Sequence, residues 1–217
     1  MKTVLLTGFE PFGGGKVNPS WQAVRRLNGR VIRGHRIVAR RLATVYVQSL
    51  ATLRRHLTAV KPALVICVGQ AADRAEVTPE RVAINVDDSR IPDNAGRKPV
   101  DVPIVPGGPV AYWSTLPVKA IVRALRRCGI PASVSPTAGT FVCNHVFYGL
   151  MHELAKNGNQ VRGGFIHVPL LSTPTTFRRG SGRAKSGESG MRLEMMVEAL
   201  KVAVRESLRP PRLISNS

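Results

Sequence analysis

Short apolar runs alternate with amphipathic stripes along most of this chain, and that alternation leaves few folds open to it. Val4-Leu5-Leu6 reads as a buried strand ended by a loop with Gly8, Gly13, Gly14 and Gly15, and helical spacing follows over Ser20 to Leu27. The pattern repeats with a strand over His35 to Leu42, a helix over Val47 to Val60 and an apolar strand over Ala63 to Val68 that Gly69 breaks. Glu76 to Val86 look extended, and Asp87 to Pro109, rich in Asp, Pro and Gly, form a long loop or a hairpin region. Val118, Ile121, Val122 and Leu125 form a helical stripe, with Ser114 or Thr115 as cap, Pro117 in the first turn and Gly129 as the stop. Ala132 to Val134 is a short strand candidate, Phe141 to Leu154 a helix, Gly164 to Val168 a buried strand, and Leu193 to Val204 a last helix. Strands interleaved with helices pair in parallel and must be covered on both faces, so the predicted class is α/β, a sandwich around a mostly parallel sheet.

A chain of 217 residues with 43% hydrophobic side chains can bury its core within one compact domain, with Arg209 to Ser217 as a frayed end. The first apolar run, Met1 to Thr7, meets Gly8 and Glu10 too early for a secretory signal, and no segment reaches the ~18 apolar residues of a membrane span. The expected compartment is therefore the cytoplasm. The net charge of +19 would suit a polyanion. The basic residues are nonetheless scattered in doublets such as Arg25-Arg26 and Arg126-Arg127 and are not interleaved with aromatics, which favours a solvated positive surface over a nucleic-acid site.

Three cysteines, Cys67, Cys128 and Cys143, fit neither a disulfide framework nor a zinc site, and leave a lone catalytic thiol open. Cys67, inside Leu64-Val-Ile-Cys-Val, reads as an inert core residue, and Cys128 has no evident partner. Cys143 follows the Gly139 turn at the start of a helix, where unpaired N–H groups and the helix dipole favour a thiolate and can hold an oxyanion. A thiol nucleophile needs a base. His145 lies on the same helix too close in sequence to face it, His152 lies more than two turns on, and His35 and His56 sit in basic surroundings. His167 ends a predicted strand, on the rim where parallel sheets hold their sites, although a buried structural histidine reads equally well. Glu80 is a carboxylate in an otherwise apolar extended segment, suited to orienting an imidazole or to a plain salt bridge with Arg81, whereas Asp87, Asp88 and Asp93 suit turns and caps.

At these residues the sequence resembles the pyroglutamyl peptidase I family of cysteine exopeptidases. The shared segments are Thr7-Gly-Phe-Glu-Pro-Phe-Gly-Gly with Asn18-Pro-Ser-Trp, Gly69-Gln-Ala, Thr78-Pro-Glu-Arg-Val-Ala-Ile-Asn, Ser89-Arg-Ile-Pro-Asp-Asn, Ala111-Tyr-Trp-Ser-Thr-Leu-Pro, Ser135-Pro-Thr-Ala-Gly-Thr-Phe-Val-Cys-Asn-His and Phe165-Ile-His-Val-Pro. The resemblance implies a single-domain, three-layer α/β/α sandwich with a twisted sheet, commonly a homotetramer, with no metal and no cofactor. It implies a catalytic triad of Glu80, Cys143 and His167, with Arg90 helping to hold the oxyanion. The implied activity is hydrolysis of the bond after an N-terminal pyroglutamyl residue of a peptide. A neutral lactam ring calls for an apolar pocket with a few polar groups, for which Phe9, Phe12 and Phe141 are candidate walls and Gln70, Asn18 and Ile91 further contacts. Ala72-Asp73, before Arg74, depart from the family's Gly-Gly, close to the predicted pocket. A homologue redirected to polyanion binding and a nucleoside-phosphorylase-like enzyme are the competing readings. The Gly13 to Gly15 loop, however, lacks the Lys-Ser/Thr ending of a phosphate-binding loop.

Overall fold

In the computed structural model, which describes residues 1–158, 160–172 and 190–210, the alternation of apolar runs and stripes becomes a mostly parallel sheet between two layers of helices. Strand β1 (Thr3–Phe9) pairs in parallel with β3 (His35–Leu42) on one side and β4 (Leu64–Gln70) on the other. Strand β8 (Arg162–Val168) extends the parallel set beyond β4. Two-residue antiparallel edges, β2 (Val31–Ile32) and β5 (Thr78–Pro79), complete the order β2-β3-β1-β4-β8-β5. Apart from this sheet, β6 (Val82–Ile84) pairs with β7 (Ala111–Trp113), and β9 (Leu170–Leu171) with β10 (Gly190–Met191).

Side chains of successive strand residues point to opposite faces, so one strand feeds two cores. Val4 and Leu6 pack with Val24 of α1 (Pro19–Arg25), Ile121 and Leu125 of α3 (Val118–Arg127), and Met196 and Leu200 of α5 (Leu193–Ser207). Leu5 and Phe9 join Leu50 and Leu53 of α2 (Tyr46–Val60) and Phe147 and Leu150 of α4 (Val142–Lys156) on the other face. Burial of each such side chain stabilises the fold by about 1.5–3 kcal/mol. Central strands that are buried on both faces must be apolar throughout, which is why β4 reads as a continuous run rather than an alternating one.

Several local expectations are corrected. Helix α3 begins after Pro117 and has no side-chain cap. The hydroxyl of Thr115 instead donates to the Gly163 carbonyl, and its acceptor face receives the Gly163 N–H, tying the loop to β8. Gly129, with φ of 71°, does stop the helix, since a left-handed residue is needed there. Ala132 makes an isolated parallel bridge to Val77 and Ser135 a second to Glu80, so the predicted strand runs beside residues 77–81 through single bridges rather than as a continuous strand. Within the predicted loop, Asp87 and Val102 exchange an antiparallel bridge, so the segment doubles back as a hairpin without regular strands. Arg209, predicted as the start of a frayed end, is held by Glu206 at 2.9 Å, while residues 211–217 lie outside the described residues.

Candidate active site

The carboxyl ends of β1, β4 and β8 and the start of α4 converge on one rim of the sheet. On β8, His167 lies in register between Gly69 of β4 and Thr78 of β5. The chain leaving β5 reaches Glu80, whose N–H donates to the Phe165 carbonyl at 2.9 Å, and this holds the Glu80 side chain beside the imidazole. His167 Nδ1 and Glu80 Oε1 are 2.7 Å apart, with Glu80 wholly buried and His167 only 4% exposed. An ionised carboxylate can only accept, so Nδ1 carries the proton and Nε2 is left as an acceptor. Arg81, weighed from sequence as the partner of Glu80, is not the cation that pairs with it. That cation is Arg74, whose Nη1 lies 2.5 Å from the same Oε1.

Cys143 is the second residue of α4, reached through a turn in which the Gly139 N–H donates to Thr137 Oγ1 at 3.0 Å and Gly139 takes a φ of 75°. Phe141, the residue before α4, provides no side-chain cap, so the first-turn N–H groups lack a protein acceptor from a cap. The sulfur lies over Gly69, since a β-carbon placed there would come within 2.8 Å of Cys143 Sγ. Gly69 is also the register partner of His167, and sulfur and imidazole therefore occupy neighbouring positions above the sheet. Burial pushes the Cys143 thiol up to about 12, with the Glu80 carboxylate adding to the rise and Arg74 opposing it. A thiol raised in this way requires a base before its sulfur can attack a carbonyl.

A cavity of about 250 Å³ opens beside these groups, and Phe9, Phe12, Asn18, Gln70, Phe141, Cys143 and His167 all line it. Phe12 and Phe141 face one another with ring centres 5.9 Å apart, and Tyr46 braces Phe141 edge-on at 5.7 Å. Phe9 is mainly a core residue, 2% exposed and packed on Phe165. The Asn18 amide is occupied by the fold, its oxygen capping Ser20 at the start of α1 and its nitrogen donating to the Glu10 carbonyl. Gln70, by contrast, has a side-chain amide without a hydrogen-bond partner among the described residues, so it can answer a polar ligand.

Arg90 and Ile91 are not brought to this cavity. The Asp88 N–H donates to the Thr140 carbonyl and the Ser89 N–H to the Pro99 carbonyl, and the chain beyond them leaves Arg90 and Ile91 exposed in the loop. Asp87 is also not a turn residue. It is buried against His145, with Oδ2 2.8 Å from Nδ1, whereas Asp93 does cap, accepting from Ala95 and Arg97 and from the Tyr46 N–H at the start of α2. Cys67 lies wholly inside the core and Cys128 is exposed, away from the cavity. Sequence reasoning missed Arg74 and Thr44, which also line the cavity. A guanidinium six residues before a buried carboxylate was the available signal for Arg74, obscured by the 32 basic residues of the chain. Among the described residues no group of three His, Cys, Asp or Glu is placed to hold a metal.

Topology and rim together define a class, the hydrolases built on an α/β sandwich with the reactive groups at the carboxyl edge of a parallel sheet. The particular branch follows from comparison with known proteins. The family described as pyroglutamyl peptidase matches residues 2–209, and the chain belongs to that family and is a peptidase. It is 55% identical over 209 residues to pyrrolidone-carboxylate peptidase 1 of Ralstonia nicotianae, covering 96% of this chain and 94% of that protein. Among solved structures it is similar to pyroglutamyl peptidase I of Bacillus amyloliquefaciens (49% identity, TM-score 0.88, 96% of each chain). It is similar too to the pyrrolidone carboxyl peptidase of Thermococcus litoralis (39% identity, TM-score 0.88, 96% of this chain and 94% of that one).

Proposed function

We propose that this protein is a cysteine peptidase that removes an N-terminal pyroglutamyl residue from peptides through a thioester acyl-enzyme. The observation that carries the reading is the contact of His167 Nδ1 with Glu80 Oε1 at 2.7 Å, on the strand position directly beside the glycine that makes room for the Cys143 sulfur. Glu80 fixes the tautomer, and Nε2 takes the thiol proton as the sulfur attacks the pyroglutamyl carbonyl carbon. The oxyanion is received by N–H groups in the uncapped first turn of α4. The resemblance would add Arg90 to these donors, although Arg90 does not line the cavity.

The imidazolium then protonates the departing amine, the C–N bond breaks, and the thioester remains on Sγ. His167 next draws a proton from water, whose oxygen attacks the thioester carbonyl, and the proton returns to sulfur as free pyroglutamate leaves. Phe12 and Phe141 suit a flat lactam ring, and the Gln70 amide can meet its polar edge. The reading includes one domain over the whole chain, a cytoplasmic setting and a homo-oligomer, the tetramer being what the resemblance implies. No described helix is long and apolar enough to cross a membrane. The test is release of a reporter amine from a pyroglutamyl conjugate. Cys143→Ser and Cys143→Ala should abolish it, while Cys67→Ala and Cys128→Ser retain it, and equal loss in all four would refute the thiol assignment.

A further inference from the structure

The proposed triad leaves one charged side chain in contact with it unaccounted for. Arg74 Nη1 donates to Glu80 Oε1 at 2.5 Å and to Thr78 Oγ1 at 2.6 Å, and Nη2 donates to the Thr137 carbonyl at 2.9 Å. Two donors, the guanidinium and His167 Nδ1, thus share one carboxylate oxygen, while Glu80 Oε2 is buried with no partner among the described residues. An anion wholly removed from water is strongly disfavoured unless it is paired, and the imidazole can supply a full countercharge only while it is protonated. In the resting state the countercharge therefore comes from Arg74. The third contact has a different reach. Thr137 belongs to the turn that leads into α4, so one planar group joins β5, the carboxylate and the approach to the sulfur.

The geometry points to Arg74 as a positioning residue of the proposed reaction, one that holds the Glu80 carboxylate in line with His167 and fixes the turn before Cys143. This rests on the cysteine-peptidase reading above. It assigns Arg74 no contact with the reacting atoms, since its action passes through Glu80 and Thr137. A lysine cannot reproduce the role, because a single ammonium lacks the planar fork that serves three acceptors at once.

The experiment uses the full-length protein and a pyroglutamyl reporter substrate. Arg74→Met should lower kcat by roughly 10- to 100-fold, the loss expected for one hydrogen bond to a charged group, with KM little changed. Arg74→Lys should fall between Arg74→Met and wild type. Low concentrations of guanidinium ion should restore part of kcat to Arg74→Ala while doing nothing for the wild type, and a purely structural role would not move that readout. The inference is overturned if kcat of Arg74→Met stays at the wild-type level, or if guanidinium restores nothing while Arg74→Ala melts like the wild type. If Arg74→Ala melts lower, Arg74→Lys decides. A melting temperature restored to the wild-type value with kcat still below it supports the inference, and return of both to wild-type values overturns it. A wild type with no pyroglutamyl activity at all would instead remove the reading on which the inference stands.

Discussion

The sulfur of Cys143 and the backbone of Gly69 stand so close that a single added methyl at residue 69 would meet Sγ at 2.8 Å and the Phe165 ring at the same distance. The Gly69→Ala variant should therefore fold with a loss of about 1–3 kcal/mol, typical of overpacking in a dense interior. Its peptidase activity should fall far more than its stability, because the sulfur must shift off the His167 position. Melting temperature and kcat measured side by side check this, and full activity would mean that the sulfur has latitude the geometry denies.

Glu80→Gln replaces an acceptor with a group that can donate towards Nδ1. The imidazole would then turn or adopt the tautomer with Nε2 protonated, unable to take the thiol proton. By analogy with other triads kcat should drop by roughly 10⁴-fold, with the fold retained. Alkylation of Cys143 by a neutral haloamide should slow in parallel, because fewer thiolates form.

The pocket predicts its own selectivity. A prolyl conjugate has the ring but not its carbonyl, so the polar group that meets the lactam, Gln70 in our reading, would be left buried and unpaired. Its kcat/KM should be lower by about 10²-fold or more than that of the pyroglutamyl conjugate. Comparable turnover of the two would show that the cavity reads only shape.

Burial of Cys67 makes stability depend on alkaline pH. Its thiol is raised from 9.0 to about 12 in the folded protein, so the folded state keeps a proton that the unfolded chain releases. That contribution is complete below pH 9.0 and is lost as pH rises toward about 12. Within this window the stability of the wild type should fall by about 1.4 kcal/mol per pH unit more steeply than that of Cys67→Ala, other alkaline titrations being common to both. Denaturant unfolding of the two proteins at several pH values checks the difference in slope.

Much of the site was legible in the residues. Glu80 stood out as a carboxylate in an apolar segment, His167 as an imidazole at a strand end, and Cys143 as a thiol after a Gly turn, and the structure brings all three to one rim. The parts that were not legible depend on neighbours distant in sequence. Arg74 looked like one of many surface cations, and only the folding of its loop against Thr137 makes it the partner of Glu80. Arg90 stood in a shared motif, yet the anchoring of Asp88 and Ser89 turns that stretch to solvent.

The layered architecture and the order of its elements were determined by the sequence alone, because strand and helix periodicities are local and each apolar face demands a covering layer. Which side chains meet was decided only in the tertiary structure. Asn18 became a helix cap, and Asp87 a buried partner of His145. Pairing, burial and charge at a point in space are sums over residues far apart along the chain, and no local pattern records that sum.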